Sequence, residues 1–192
     1  EAALRLQAGV ESVLSKLGMA GTVFKVHIDL PETRTDVLNS YPWGFDAVEF
    51  MISANPGEPV KPLSRIASGG EMSRVMLALK TVLADADDSD TLIFDEIDAG
   101  IGGEVALAVG SHLRMLSGKK QVLCITHLAS IAARADNQIR IEKKSDGVKT
   151  VTSAEVVDGD MRVEEIARML AGDGFSNASL VHARELLQTL SR

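Results

Sequence analysis

Apolar positions along this chain switch between two periods, and the switches mark out its elements. Ala3, Leu6, Val10, Val13 and Leu17 alternate steps of three and four, a heptad-like seam that predicts a helix over residues 1–18 stopped by Gly18. Residues 22–29 then alternate apolar and polar positions through Val23, Phe24, Val26 and Ile28, and Val48, Phe50 and Ile52 do the same, which predicts two half-buried strands. Between them, residues 30–44 carry Pro31, Asn39, Pro42 and Gly44, the turn formers of a long loop. Helical spacing returns at Met72, Val75, Met76, Leu79, Val82 and Leu83, and again over residues 104–117, with Val105, Leu107, Ala108, Val109, Leu113 and Leu116 facing inward. Residues 91–94 and 121–125 are short apolar runs, as expected of strands buried on both faces in a parallel sheet. Residues 128–135 predict a short helix, 137–142 and 148–156 a hairpin about Ser145-Asp146-Gly147, and 162–171 and 177–190 two closing helices. This alternation predicts an α/β fold, its mostly parallel sheet flanked by helices and edged by antiparallel strands.

The chemistry-bearing residues sit where these elements begin and end. Ser68-Gly69-Gly70-Glu71 has a serine N-cap with a glutamate three residues on, the capping-box spacing. The two glycines exceed what a cap requires, because Gly costs roughly 1 kcal/mol against Ala inside a helix. Bare backbone N–H groups at a helix start favour anions, phosphate above all, so cap and anion site stand as two readings. The run 91–94 ends in Asp95-Glu96, and the run 121–125 ends in Thr126-His127. Carboxyl ends of parallel strands are where open α/β sheets bind ligands, so an acid pair and a histidine there form a candidate constellation.

The ordered set of SGGE, an apolar strand with Asp95-Glu96, and an apolar strand with Thr126-His127 resembles the signature motif, Walker B and switch histidine of ABC-type ATPases in their SMC-like branch. The wider wording, Asn55-Pro56-Gly57-Glu58, ASGGEMSR, IFDEIDAGIGG and ITHLASIAARAD, resembles the carboxyl-terminal ATPase lobe of the bacterial DNA-repair members of that branch, over nearly the whole chain. The resemblance implies a part of a protein that hydrolyses ATP in double-strand-break repair and recombination. Residues 1–18 would end the returning arm of a long antiparallel coiled coil, and residues 19–192 would form the lobe. It further implies Asp95 as a Mg²⁺ ligand through water, Glu96 orienting and deprotonating the attacking water, and His127 touching the γ-phosphate. Ser68, Gly69, Gly70 and Glu71 would reach ATP bound by a second subunit. The implied partners are an amino-terminal lobe of the same protein, a second copy joined through the ATPase heads, and DNA; no membrane is implied.

Two departures bear on that picture. No GxxxxGK[ST] phosphate loop occurs in the chain, so the resemblance assigns it to the amino-terminal lobe, and this chain alone is expected to be inactive. The loop after the acid pair places Gly102 where most ABC ATPases carry a partner-facing aspartate, with Asp98 as a candidate substitute. A helix start contributes about 2 kcal/mol to an anion at best, a dissociation constant on the order of tens of millimolar, so the signature motif can act only as one jaw of a clamp. Two other readings share these motifs: a transporter's ATPase subunit, and a non-catalytic scaffold that keeps the shape for dimerisation.

Composition narrows the class further. With 192 residues, 45% of them hydrophobic, the chain can bury one sizeable core. It opens at Glu1 inside a helical pattern, so it is expected to be a piece of a longer protein, and with no apolar run near the roughly 18 residues of a membrane span it is expected in the cytoplasm, at the nucleoid. Cys124 has no partner cysteine and reads as a small buried hydrophobe. A net charge of −7 argues against a broad nucleic-acid footprint, leaving local candidates in Tyr41 and Trp43, which equally fit as anchors of their own loop, and in the lysines of the hairpin, which equally fit as a solvated edge.

Overall fold

The structure, a computed structural model, describes residues 1–29, 46–55, 57–66, 68–145, 147, 149–172, 174 and 176–190. The loop expected at 30–44, with Tyr41 and Trp43, lies outside the described residues. The chain forms two compact units, Glu1–Asp88 and Ser89–Arg192.

In the first unit, α1 (Ala2–Lys16) buries Val10, Val13 and Leu14, and Leu17 follows into the core. The near end of the seam is shallower: Ala3 and Leu6 are half-buried and Leu4 is exposed. Gly18 ends the helix in the left-handed region at φ 78°, which lets the Met19 N–H return to the Leu14 carbonyl at 3.0 Å. Strands β1 (Val23–Asp29) and β2 (Ala47–Ser53) pair antiparallel from Val23↔Ser53 to Asp29↔Ala47, and the short β3 (Lys61–Pro62) extends β2. Phe24 is fully buried and its ring meets that of Phe50 at 5.5 Å.

The outer edge of β1 is covered by side chains of α1. Glu11 Oε1 accepts the Phe24 N–H at 2.8 Å and Gln7 Oε1 accepts the Val26 N–H at 3.1 Å. Four helical residues rise about 6 Å and two strand residues about 6.5 Å, so the two repeats come into step.

Helix α2 (Gly69–Val82) follows a 3₁₀ turn at Leu63–Arg65. It buries Gly70, Arg74, Val75, Leu77, Ala78 and Leu79, so the covered face is rotated from the expected stripe: Met72 and Met76 are half-buried and Val82 is exposed. Gly9 makes room for α2, since a β-carbon there would lie 3.1 Å from Val82 Cγ1.

In the second unit, β4 (Thr91–Phe94) and β5 (Gln121–Cys124) run parallel, paired from Thr91↔Gln121 to Phe94↔Cys124. The crossover between them is α3 (Gly103–Ser117), which buries Ala106, Val109, Gly110, His112, Leu113 and Leu116 and leaves Leu107 outside. The short α4 (Ala129–Ala132) leads to the antiparallel hairpin of β6 (Gln138–Ser145) and β7 (Thr150–Val157). Its basic side chains are answered locally, Arg140 by Glu155 at 2.8 Å and Lys144 by Glu142 at 3.0 Å. Helices α5 (Gly159–Ala171) and α6 (Asn177–Leu190) close the unit around Ile166, Ala167, Ala183 and Leu190, with Ala129, Ala132 and Ala133 in the same cluster.

The fold is α/β, with one parallel pair and two antiparallel sheets among the described residues. The expectation that β4 and β5 are buried on both faces is corrected. Leu92 and Phe94 are buried, whereas Ile93 is 70% exposed, Leu123 43% and Ile125 61%. Strand side chains alternate between faces, so the apolar residues of these runs divide between a covered face and an uncovered one.

Candidate functional site

Parallel pairing brings the acid pair and the histidine to the same end of two adjacent strands. Phe94 sits beside Cys124, and the ladder runs one step further as the Ile125 N–H reaches the Phe94 carbonyl at 2.9 Å. Asp95-Glu96 and Thr126-His127 therefore leave the sheet side by side. Asp95, Glu96 and His127 are all exposed. Ile97 is fully buried and anchors the loop behind the acids.

Glu96 adopts φ 56°, and is the sole non-glycine residue with positive φ among the described residues. A left-handed conformation in a residue with a side chain costs about 1–3 kcal/mol and persists only where its surroundings enforce it. Here the Asp95 carboxylate accepts the Glu96 N–H at 2.8 Å, and the Glu96 carbonyl accepts the Ala99 N–H at 3.0 Å. Both bonds hold the turn that presents the Glu96 carboxylate at the strand's end.

Behind this turn lies a carboxylate that the sequence left without a settled role. Asp98 is 5% exposed. Its Oδ2 accepts the Thr126 hydroxyl at 2.6 Å and the His127 backbone N–H at 2.9 Å, and Nδ1 of the His127 ring lies 3.0 Å from the same oxygen. Thr126 Oγ1 in turn accepts the Leu128 N–H at 3.0 Å. Asp98 is thus turned into its own unit rather than outward as a partner-facing aspartate would be, and Gly102 serves as N-cap of α3. The usable signal in the sequence is an acid four residues past one strand end and a hydroxyl just past the neighbouring one.

Cys124, half-buried on β5, has its thiol pushed up to about 12, chiefly by burial and secondarily by the negative charges of Asp98 and Asp95. It stays a neutral thiol at working pH. The cavity in this unit, of about 500 Å³, is lined by Val122, Cys124, Thr126, Ile131 and Ile139 and does not include Asp95, Glu96 or His127. The site is therefore an open strand end and not an enclosed pocket.

The other candidate residues lie in the first unit. Ser68 caps α2, its hydroxyl accepting the Glu71 N–H at 3.4 Å. Ser68 and Gly69 are exposed, Glu71 is half-buried and Gly70 is buried. The helix tip thus shows solvent a hydroxyl and a length of bare backbone.

Among the described residues no group of three or more His, Cys, Asp or Glu side chains could hold a metal ion. An exposed carboxylate such as that of Asp95 has the chemistry of a Mg²⁺ ligand, because Mg²⁺ takes one or two carboxylates and fills its remaining positions with water and substrate phosphate. No helix among the described residues is long and apolar enough to cross a membrane.

No family model matches the chain. It is 59% identical over 183 residues to the DNA repair protein RecN of Treponema pallidum, covering 95% of this chain and 32% of that protein. It is 43% identical to RecN of Halalkalibacterium halodurans over 185 residues, 96% of this chain and 32% of the relative, and 52% identical to RecN of Deinococcus radiodurans over 145 residues, 76% and 25%. The chain spans about a third of the length of the first two relatives. Among solved structures it is similar to an SMC head domain with a coiled coil and joint from Pyrococcus yayanosii, at 22% identity and a TM-score of 0.56, covering 86% of this chain and 28% of that one. An SMC ATPase structure concerned with ATP-driven dimerization and DNA-stimulated activation gives 19% identity and a TM-score of 0.51, covering 90% and 96%.

Proposed function

Because the chain belongs, by homology over 95% of its length, to the RecN family and corresponds to its carboxyl-terminal part, we propose that it is the carboxyl-terminal lobe of an SMC-like ATPase head that works in DNA repair and recombination. Residues 1–18 end a coiled-coil arm, and residues 19–192 form the lobe. The observation that carries this reading is the pair of parallel strands delivering Asp95, Glu96 and His127 to one end, in a chain so closely related to DNA repair proteins. Relatives that are DNA repair proteins do not favour the transporter reading.

In this function Asp95 is the residue that would hold Mg²⁺ through water. When bound, that ion neutralises charge developing on the transferred phosphoryl group. Glu96 stands ready to orient the attacking water and take its proton. His127 faces the γ-phosphate side of the site. Ser68, Gly69 and Gly70, with Glu71 holding the cap, offer backbone N–H groups to the nucleotide of a second copy. ATP then joins two heads and hydrolysis releases them, a cycle coupled to holding DNA, in the cytoplasm at the nucleoid.

The uncovered apolar face supports the partnership with an amino-terminal lobe. Ile93 and Leu123 are register partners on neighbouring strands, and Ile125 continues the row. Burying such side chains contributes roughly 1.5–3 kcal/mol each, which favours a covering layer.

The test is Glu96→Gln in the complete protein. Turnover should fall by roughly 10²–10⁴, the worth of a general base, with ATP binding intact. Near-normal turnover removes Glu96 from its role.

A further inference from the structure

The acid pair and the histidine would be expected to act separately, since each ends its own strand. The structure ties them through one buried carboxylate, and the bonding pattern dictates more than position. Nδ1 of the His127 ring lies 3.0 Å from Asp98 Oδ2, too close for two bare lone pairs to face each other, so that ring atom is the one that carries hydrogen. The same oxygen also takes the His127 backbone N–H at 2.9 Å and the Thr126 hydroxyl at 2.6 Å. Backbone and ring of His127 are thereby fixed to a single atom that is itself rigidly seated, with Asp98 5% exposed and Ile97 beside it fully buried. The His127 side chain is nonetheless 72% exposed. Its far nitrogen, Nε2, is left facing outward.

We propose that Asp98 is a positioning residue for the ATPase reaction: it holds the His127 ring in the Nδ1–H tautomer with Nε2 directed out of the strand end. This deepens the ATPase reading above and rests on it. Two consequences follow from the assignment. In the neutral ring, Nε2 is a hydrogen-bond acceptor and so suits a water or a hydroxyl hydrogen. It can donate to a phosphate oxygen only after gaining a second proton, and Asp98 then lies against the resulting imidazolium. A histidine without such a partner samples both tautomers. Asp98 also belongs to the loop that carries Glu96, so the same side chain sets the spacing between the water-activating acid and the histidine.

Two measurements on the complete protein test this. Long-range ¹H–¹⁵N correlation spectra of ¹⁵N-histidine-labelled protein should show His127 as the Nδ1–H tautomer, and Asp98→Ala should convert it to a mixture or to the Nε2–H form. A His127 signal that is already mixed in the unsubstituted protein, or unmoved in D98A, overturns the proposal. For turnover, Asp98→Asn keeps the size and an accepting oxygen and guards against a variant that fails to fold. D98A should lower kcat by about 10²-fold or more at unchanged KM for ATP, D98N should recover part of that loss, and in an H127A background D98N should cost nothing further. If D98N lowers kcat as much with alanine at position 127 as with histidine, Asp98 acts on the fold and not through the ring, and the proposal fails. The ATPase reading fails separately, by unaltered turnover in both H127A and E96Q.

Discussion

The two chemically equipped ends of this molecule are built to different standards. At the end of β4 and β5 every backbone turn is fixed: Glu96 is held at φ 56° by bonds from both sides, and the histidine loop hangs on one buried carboxylate. At the start of α2 there is one 3.4 Å cap bond and otherwise exposed backbone. The difference matches the tasks proposed for them. Orienting water and a phosphoryl group demands geometry held to a fraction of an ångström, so strain is tolerated. Meeting the phosphate of another molecule needs donors that stay open until that molecule arrives.

The sharpest break between the ends is the complete absence of turnover expected of this chain alone. It carries the residues proposed to activate water and to clamp a second nucleotide but no GxxxxGK[ST] loop, so purified residues 1–192 should release no phosphate from ATP. Steady release above a blank in an E96Q-controlled assay contradicts the division of labour. The next effect is that of E96Q in the complete protein, a loss of roughly 10²–10⁴ in turnover with binding retained, read by single-turnover kinetics. Ser68→Arg, at the other end, should leave nucleotide binding by the monomer intact while abolishing ATP-driven dimerisation. Sedimentation of that variant, made together with E96Q, should show monomers, and an unchanged dimer refutes the trans role of the helix tip.

Smaller effects separate strain from capping. Glu96→Gly relieves the left-handed conformation, which costs about 1–3 kcal/mol, against roughly 0.5–1 kcal/mol of lost backbone restriction in the unfolded chain. Its midpoint of chemical unfolding should therefore rise while activity disappears, and a drop would mean that Glu96 is not strained. Ser68→Ala removes the cap and should lower stability by about 1 kcal/mol, with the weak 3.4 Å bond placing it toward the lower end of the usual range.

Much of this was legible in the pattern of residues. Helix α6 begins and ends where its periodicity does, at Asn177–Leu190, and the serine cap of α2 forms as its spacing requires. The strands at the site were located correctly, but their environment was misjudged for a definite reason. An apolar run does not say which of its residues lie on which face, and Ile93, Leu123 and Ile125 are exposed because, among the described residues, only the face that carries Leu92 and Phe94 is covered. The buried face of α2 was misplaced because Leu77 and Ala78 fall outside a single stripe, a helix packed on more than one side. Asp98 is visible in the sequence and its purpose is not, because no periodicity signals a carboxylate whose partners lie nearly thirty residues away, just past the end of another strand.

One feature of the first unit reaches beyond the ATPase chemistry. An outermost strand with unpaired N–H groups invites strands from other molecules, and β1 is shielded from that by Gln7 and Glu11 on α1. Helix α1 therefore doubles as a guard against self-association: cut away residues 1–11, and the exposed rim of β1 becomes a template on which copies of the chain can stack into aggregates.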